Sequence, residues 1–311
     1  MRYCRRCGLA DPVRAASDTA PTDVAVGPTV YRITERIAIG SISSVYRCQF
    51  FEGPVEHEAV VKIARDARVN ALLQSEAATL ARLRAADPAN RYTPFLPYPQ
   101  AVFSIADPPP APPRSALVVR THPAIRRPAD ELYTLADIRH HFAAGLDARH
   151  VAWIWRRLLT TLGFVHGAGV VHGQVLPPHV LVEPAEHKVV LVDWTCAVDL
   201  SRHTGRALPV VAGPYLSWFR KETPSRNPAS PAIDIALGAR SMIDLLGGDP
   251  LTGRLPPTLD PALQRYFSRC ISFAPNARPD AGRLLSDFDQ LIEALWGPRS
   301  FLPLELPPRN R

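Results

Sequence analysis

Apolar and polar positions alternate with one period in the first half of the chain and with another in the second. From residue 29 to residue 64, "TVYRITERIAIGSISSVYRCQFF" and "EAVVKIA" are short runs rich in β-branched and aromatic residues, separated by a Gly/Ser turn. That pattern predicts strands. In "NALLQSEAATLARLRAA" the apolar residues move to helical spacing, which predicts a single helix. Two further strands are predicted at "YPQAVFSIA" and "SALVVRTH". Their connection, "DPPPAPP", reads as an extended, exposed hairpin loop or as a Pro-rich ligand for a partner domain.

Beyond residue 134 the period is mainly helical. "LADIRHHFAAG" opens it, and "HVAWIWRRLLTTLGFVHGAG", "DIALGARSMIDLLGG" and "DAGRLLSDFDQLIEALWG" each carry an apolar stripe that stops at glycine. The strand-like runs "HVLVE" and "KVVLVDW" lie between them. A β-rich unit followed by an α-rich unit makes the fold class α+β, and such an order suggests a cleft between two lobes. The expected boundaries are an N-terminal arm over 1–28, a β-rich lobe over 29–122, a helical lobe over 123–296 and a C-terminal tail over 297–311. Residues 8–28 have neither period and read as a linker.

Composition narrows the functional classes. With 311 residues and 46% hydrophobic content, the chain can bury a sizeable core. The net charge of +7 is spread along the sequence with no dense Lys/Arg run, which argues against a nucleic-acid partner. No stretch approaches the ~20 apolar residues of a membrane span, and the N-terminus lacks the apolar core of a signal peptide, so a cytoplasmic location is expected. Cys4 and Cys7 form half of a zinc ribbon's ligand set, with no second C-x-x-C to complete it; two free thiols are the plainer reading.

The positive charge is almost all arginine, for the only lysines are Lys62, Lys188 and Lys221. Lys62 lies among apolar residues in a predicted strand, and a buried lysine needs a counter-charge. Glu76, in the following helix, is the natural candidate, unless both groups are simply on the surface. Upstream, "AIGSISSVYR" offers Gly40 and small neighbours in a turn between strands, where backbone can approach a phosphate closely. Downstream, "VVHGQVLPPHVLV" concentrates His172, Gln174 and His179, and "VVLVDWTCA" ends a strand at Asp193.

From about residue 31 to about residue 295 this ordered set resembles the protein kinase family. In the family's Gly-rich loop the glycines would fall at Ala38, Gly40 and Ser43. The resemblance implies that Lys62 is the strand lysine that holds the α/β-phosphates of ATP and that Glu76 is its helix partner. It also implies that Val45, Val60 and Leu181 flank an adenine ring, and that a hinge lies near Val119 to His122. Asp193, Trp194 and Thr195 stand at the Asp-Phe-Gly segment, making Asp193 the ligand of a divalent metal, Mg²⁺ or Mn²⁺. Asp234 matches the buried aspartate that braces the catalytic loop, while Glu222 and Arg278 match a late Glu–Arg pair. Taken singly, Asp234 could be a helix cap, Asp193 a turn residue, and Glu222 and Arg278 surface charges.

The departures fall in the catalytic loop, which in the family reads H-R-D-L-x-x-x-N. His172 keeps the histidine and is expected to brace the loop against Trp194. Gly173 replaces the arginine that reads activation-loop phosphorylation. Gln174 replaces the catalytic aspartate, and a neutral amide cannot take a proton. His179 replaces the metal-binding asparagine, and imidazole suits Mn²⁺ or Zn²⁺ better than Mg²⁺. The expected function is therefore that of a pseudokinase, an ATP-binding regulator or scaffold with a protein partner. The alternative is an atypical serine/threonine protein kinase that acts on a protein substrate through Asp193 and one metal.

Overall fold

The structure is a computed structural model that describes residues 22–107, 109–121, 132–202, 205–209, 213–219, 228–271 and 280–307. The chain divides into two compact units, residues 1–130 with 212–214, and residues 131–211 with 215–311. Cys4, Cys7, His122, Glu222 and Arg278 lie outside the described residues.

Among the described residues the first unit is a six-stranded antiparallel sheet with one α-helix. Its strands are β1 (Thr22–Val26), β2 (Thr29–Ile39), β3 (Ser43–Glu52), β4 (Val55–Ala64), β5 (Tyr98–Ile105) and β6 (Arg114–Arg120), in the order β1-β2-β3-β4-β6-β5. Helix α1 (Asn70–Ala85) connects β4 to β5 and buries Leu73, Leu80 and Leu83. Tyr31 on β2 stacks on Phe103 of β5 with ring centroids 6.0 Å apart, although three strands lie between them. A flat sheet would separate those strands by roughly 19 Å, four spacings of about 4.8 Å. The sheet therefore curls, and its concave face closes on Tyr31, Ile33, Cys48, Phe50, Val61, Ile63 and Val118.

Residues 22–26, expected within the linker, instead form β1. The segment "TDVAV" is short and follows a polar, Pro-containing stretch, yet it alternates, and Val24 and Val26 pack against the curled core. Pairing of Ala25 with Val30 and of Val24 with Tyr31 fixes its register on β2. A five-residue edge strand carries too short an alternation to stand out from its surroundings.

Among the described residues the second unit is helical with two small antiparallel sheets: β7 (Tyr133–Thr134), β9 (Val180–Glu183) and β10 (Lys188–Leu191) form one, and β8 (Val170–Val171) pairs with β11 (Val198–Asp199) as the other. Around them pack α2 (Leu135–His141), α3 (Ala148–Gly167), α4 (Pro231–Leu245), α5 (Pro261–Cys270) and α6 (Ala281–Trp296). Helix α3 buries Val151, Ile154, Trp155, Leu158, Leu162 and Val165, the stripe that its sequence predicts. The expected glycine stop of α4 is Gly247, at φ 81°, where an added Cβ would lie 2.5 Å from the Ala144 carbonyl oxygen. Only glycine fits both the turn and that approach.

Helix α5 is absent from the pattern read above. Asp260 caps it by accepting the Ala262 N–H, Pro261 begins it, and Leu263, Tyr266, Phe267 and Cys270 form its buried face. Residues 297–307 also pack onto this unit. His187 is sandwiched between Trp153 and Phe301, and Leu304 is buried. The Tyr133 hydroxyl donates to the Pro307 carbonyl. Among the described residues no helix is long and apolar enough to cross a membrane.

Candidate functional site

In the first unit, cross-strand pairing sets which side chains share a face. Val45 pairs with Lys62, Lys62 with Leu117, and Val60 with Val119, so these residues lie on the face opposite the curled core. Lys62 is 6% exposed, and its Nζ lies 2.6 Å from Glu76 Oε2 on α1. Both charges are removed from water, and each offsets the desolvation cost of the other. The expected pair is thus formed, and the surface alternative is excluded.

The turn between β2 and β3 is tight. Gly40 N donates to the Ser43 carbonyl at 2.8 Å, and Arg65 Nη1 donates to the Gly40 carbonyl at 3.2 Å. The Gly40 N–H is therefore engaged within the hairpin. What the glycine provides is close approach, for an added Cβ would lie 3.2 Å from the Ser43 carbonyl oxygen.

In the second unit, Asp234 stands in the first turn of α4 and is completely buried. Its Oδ2 accepts the His172 N–H at 2.9 Å, and its Oδ1 accepts the Gly173 N–H at 2.7 Å. His166, at the end of α3, places Nε2 2.9 Å from Oδ2. A carboxylate fits here because backbone N–H groups supply the hydrogen bonds that water would give it, and the helix N-terminus adds a favourable field. The expected brace is present, with His166 as a member that the sequence reading missed. That histidine is one residue short of the end of α3, so only its tertiary contact distinguishes it.

His172 is fully buried, with its ring edge-on to Trp194 at 4.6 Å between centroids. Its Nδ1 accepts the Gln174 N–H at 3.2 Å, and its Nε2 donates to the Val192 carbonyl at 3.1 Å. One nitrogen accepts and the other donates, which is the pattern of a neutral imidazole. Burial pushes its pKa down to about 4. Because the folded value lies below the unfolded one, its stabilising contribution is fully present above pH ~6.5 and is lost as pH falls through about 4. The shift corresponds to about 3 kcal/mol. Urea unfolding at pH 7.5 and 4.5 checks this: the native chain is expected to lose more stability between the two than His172→Phe does.

Gly173 adopts φ +81°, and a Cβ there would meet Leu208 Cδ2 at 2.6 Å. The left-handed backbone requires glycine, whereas the Leu208 methyl ends a side chain that can turn aside for a single Cβ. Restoring the family's residue with Gly173→Arg is therefore expected to destabilise the unit by roughly 2–4 kcal/mol, from left-handed strain plus overpacking. Thermal denaturation reads the effect, and Gly173→Ala should fall between the two.

Gln174 is 5% exposed, and its side-chain amide donates to Cys196 Sγ at 3.0 Å. The main-chain carbonyl oxygen of Gln174 lies 2.9 Å from Nδ1 of His179, whose Nε2 faces Asp193 Oδ2 at 3.4 Å. Asp193 adopts a left-handed backbone, φ 64° and ψ 72°, and its Oδ1 accepts the Thr195 hydroxyl at 2.6 Å. Thr195 was not among the expected site residues, although a hydroxyl two positions after an aspartate is a recognisable local signal. Leu181 pairs with Thr134 on one side and Val190 on the other.

The structure thus gathers Gln174, His179 and Asp193 in the second unit, and Val45, Val60, Lys62 and Glu76 in the first. Two donor atoms, His179 Nε2 and Asp193 Oδ2, are close enough to share one metal ion. Among the described residues no group of three or more His, Cys, Asp or Glu side chains gathers to hold a metal. Any ion would therefore need further ligands from a phosphate group or water, as divalent ions in nucleotide sites commonly do.

No family model matches the chain. It is 26% identical over 171 residues to the serine/threonine-protein kinase PAK mbt of Drosophila melanogaster. It is 25% identical over 190 residues to the serine/threonine-protein kinase STE20 of Eremothecium gossypii, and 25% over 196 residues to the serine/threonine-protein kinase PAK 4 of Homo sapiens. These matches cover 49%, 55% and 57% of this chain, and 26%, 19% and 32% of those proteins. The chain therefore spans less than a third of the length of each of these relatives. A curled sheet with one helix, a helical unit with small strand pairs, and these likenesses together identify a protein kinase-like domain of α+β fold.

Proposed function

We propose that this chain is a pseudokinase, a nucleotide-binding protein whose output is a protein contact. The observation that carries this reading is Gln174, at the position of the family's catalytic aspartate. Its side chain is neutral, buried and donating to Cys196. It has no carboxylate to take a proton from a hydroxyl.

Retained nucleotide binding is supported by the Lys62–Glu76 pair and by Asp193. Lys62 would place its charge against the α/β-phosphates, and Val45, Val60 and Leu181 would flank the adenine. Asp193 with His179 would hold a divalent cation, which when bound would neutralise phosphate charge. ATP is the nucleotide that the kinase likeness suggests. Isothermal titration with ATP and either Mg²⁺ or Mn²⁺ is expected to give saturable binding that Lys62→Ala abolishes; absence of binding with both ions would remove the reading.

A second reading, an atypical serine/threonine protein kinase, is favoured by the same Lys62–Glu76 geometry and by the fixed Asp193. Phosphoryl transfer depends largely on positioning and charge neutralisation, and a missing base does not abolish either. Its substrate would be a protein hydroxyl.

A further inference from the structure

Residues 298–307 follow α6 across the second unit without forming a helix or a strand. Their exposure nevertheless alternates: Leu304 is buried and Leu302 and Leu306 are half-buried, whereas Phe301, Pro303, Glu305 and Pro307 are exposed. A period of two is that of an extended backbone, with Leu302, Leu304 and Leu306 turned toward the unit. Pro303 and Pro307 each push the leucine before them into the extended region, so the segment loses little freedom when it docks.

Three side chains of the unit receive this strap. Asp289 on α6, which also pairs with Arg156, lies 2.6 Å from Arg299 Nη2. His187, in the turn between β9 and β10, donates from Nε2 to the Leu302 carbonyl at 2.8 Å and stacks on Phe301 at 4.2 Å between centroids. Tyr133 on β7 donates to the Pro307 carbonyl at 2.7 Å. His187 is itself held in a left-handed backbone, φ 52°, by the Trp153 ring at 4.1 Å and by Arg157, whose Nε donates to its carbonyl at 3.2 Å. A sparsely populated conformation fixed by its neighbours is characteristic of a binding surface. The strap, by contrast, is held loosely. Among the described residues no backbone–backbone hydrogen bond ties 298–307 to the unit, and Phe301 stays 62% exposed. With the strap in place Trp153 Nε1 is buried without a hydrogen-bond partner among the described residues, so the resident segment leaves interaction energy unused.

We propose that the surface marked by Asp289, Trp153, His187 and Tyr133 is a docking site for an extended segment of a partner protein, of the form Leu-x-Leu-x-Leu with a cation three residues before the first leucine, and that residues 299–307 occupy it as an intramolecular competitor. The strap itself displays the chemistry that the surface reads: alternate leucines inward, a cation against Asp289, and backbone carbonyls against His187 and Tyr133. The inference gives a chemistry to the partner in the protein contact proposed above and requires neither bound nucleotide nor phosphoryl transfer.

A fluorescent peptide with the sequence of residues 299–307, titrated by anisotropy against the full chain, tests it. Leu304→Ser in the chain should loosen the strap, and the peptide is then expected to bind at least ~10-fold more tightly than to the native chain, where the tethered strap competes at a millimolar effective concentration. The same Leu304→Ser change placed in the peptide should cost it about 10-fold in affinity, while Glu305→Ala in the peptide, at an outward position, leaves affinity unchanged. Arg299→Ala with Phe301→Ala in the chain alters only exposed residues, so it preserves folding and should tighten peptide binding by about 3-fold. A peptide that binds none of these chains, or binds all of them equally, overturns the proposal. Dimers in which two copies exchange straps would make the occupant a second copy and overturn the partner assignment. ATP titration of the same samples keeps the two readings apart: ATP binding without peptide exchange removes the docking site alone, and peptide exchange in a chain that never binds ATP removes the nucleotide site alone.

Discussion

Asp234→Ala is expected to lower the stability of the second unit by about 3–5 kcal/mol and its melting temperature by roughly 10 °C. The carboxylate is fully buried and satisfies the N–H groups of His172 and Gly173 as well as the His166 ring. Alanine would leave two backbone donors buried without acceptors, and each hydrogen bond to a charged group contributes about 1.5–3 kcal/mol. Asp234→Asn is nearly isosteric and should still cost much of this, since its NH₂ would face one of the two N–H groups. Thermal and urea denaturation measure both variants. Loss of less than ~1 kcal/mol in Asp234→Ala would mean that the loop is held by His172 and Trp194 without the brace.

Lys62→Ala should destabilise the first unit by about 3–5 kcal/mol, because it leaves Glu76, 1% exposed, as a buried carboxylate without its 2.6 Å partner. Replacing both charges, as in Lys62→Met with Glu76→Leu, should recover most of that stability. The double variant should nevertheless fail to bind ATP. This separates the two roles of Lys62: stability follows the pair, and nucleotide affinity follows the lysine. A double variant that binds ATP like the native chain would remove Lys62 from the proposed site.

The parts that the sequence made legible share a physical basis. Strand β2 and helices α3 and α6 bury one face each, so their period is written in local composition, while α4 and β6 are apolar and buried on nearly every side. Lys62 and Glu76 stood out because lysine is rare here and a buried lysine requires an acid. The His172–Trp194 contact and the Asp234 brace were expected from the kinase resemblance and are present.

What was missed depends on tertiary contact or on short segments. Two-residue strands such as β8 and β11 exist only through their pairing and have no period of their own. Gln174 meets Cys196 across 22 positions of sequence, and no spacing rule connects an amide to a distant thiol. Helix α5 is a different case: Asp260, Pro261 and the spacing of Leu263, Tyr266, Phe267 and Cys270 were a readable start signal and stripe.

In the proposed pseudokinase the catalytic loop has lost its base while the chain retains a nucleotide site. Transfer of radiolabelled γ-phosphate from ATP to protein, measured with Mg²⁺ and with Mn²⁺ in samples whose ATP binding has been established by titration, tests it most directly. A pseudokinase is expected to show saturable binding with no transfer above the level of the Asp193→Ala variant. Transfer by the native chain that both Lys62→Ala and Asp193→Ala abolish would contradict it, and would establish the atypical kinase instead.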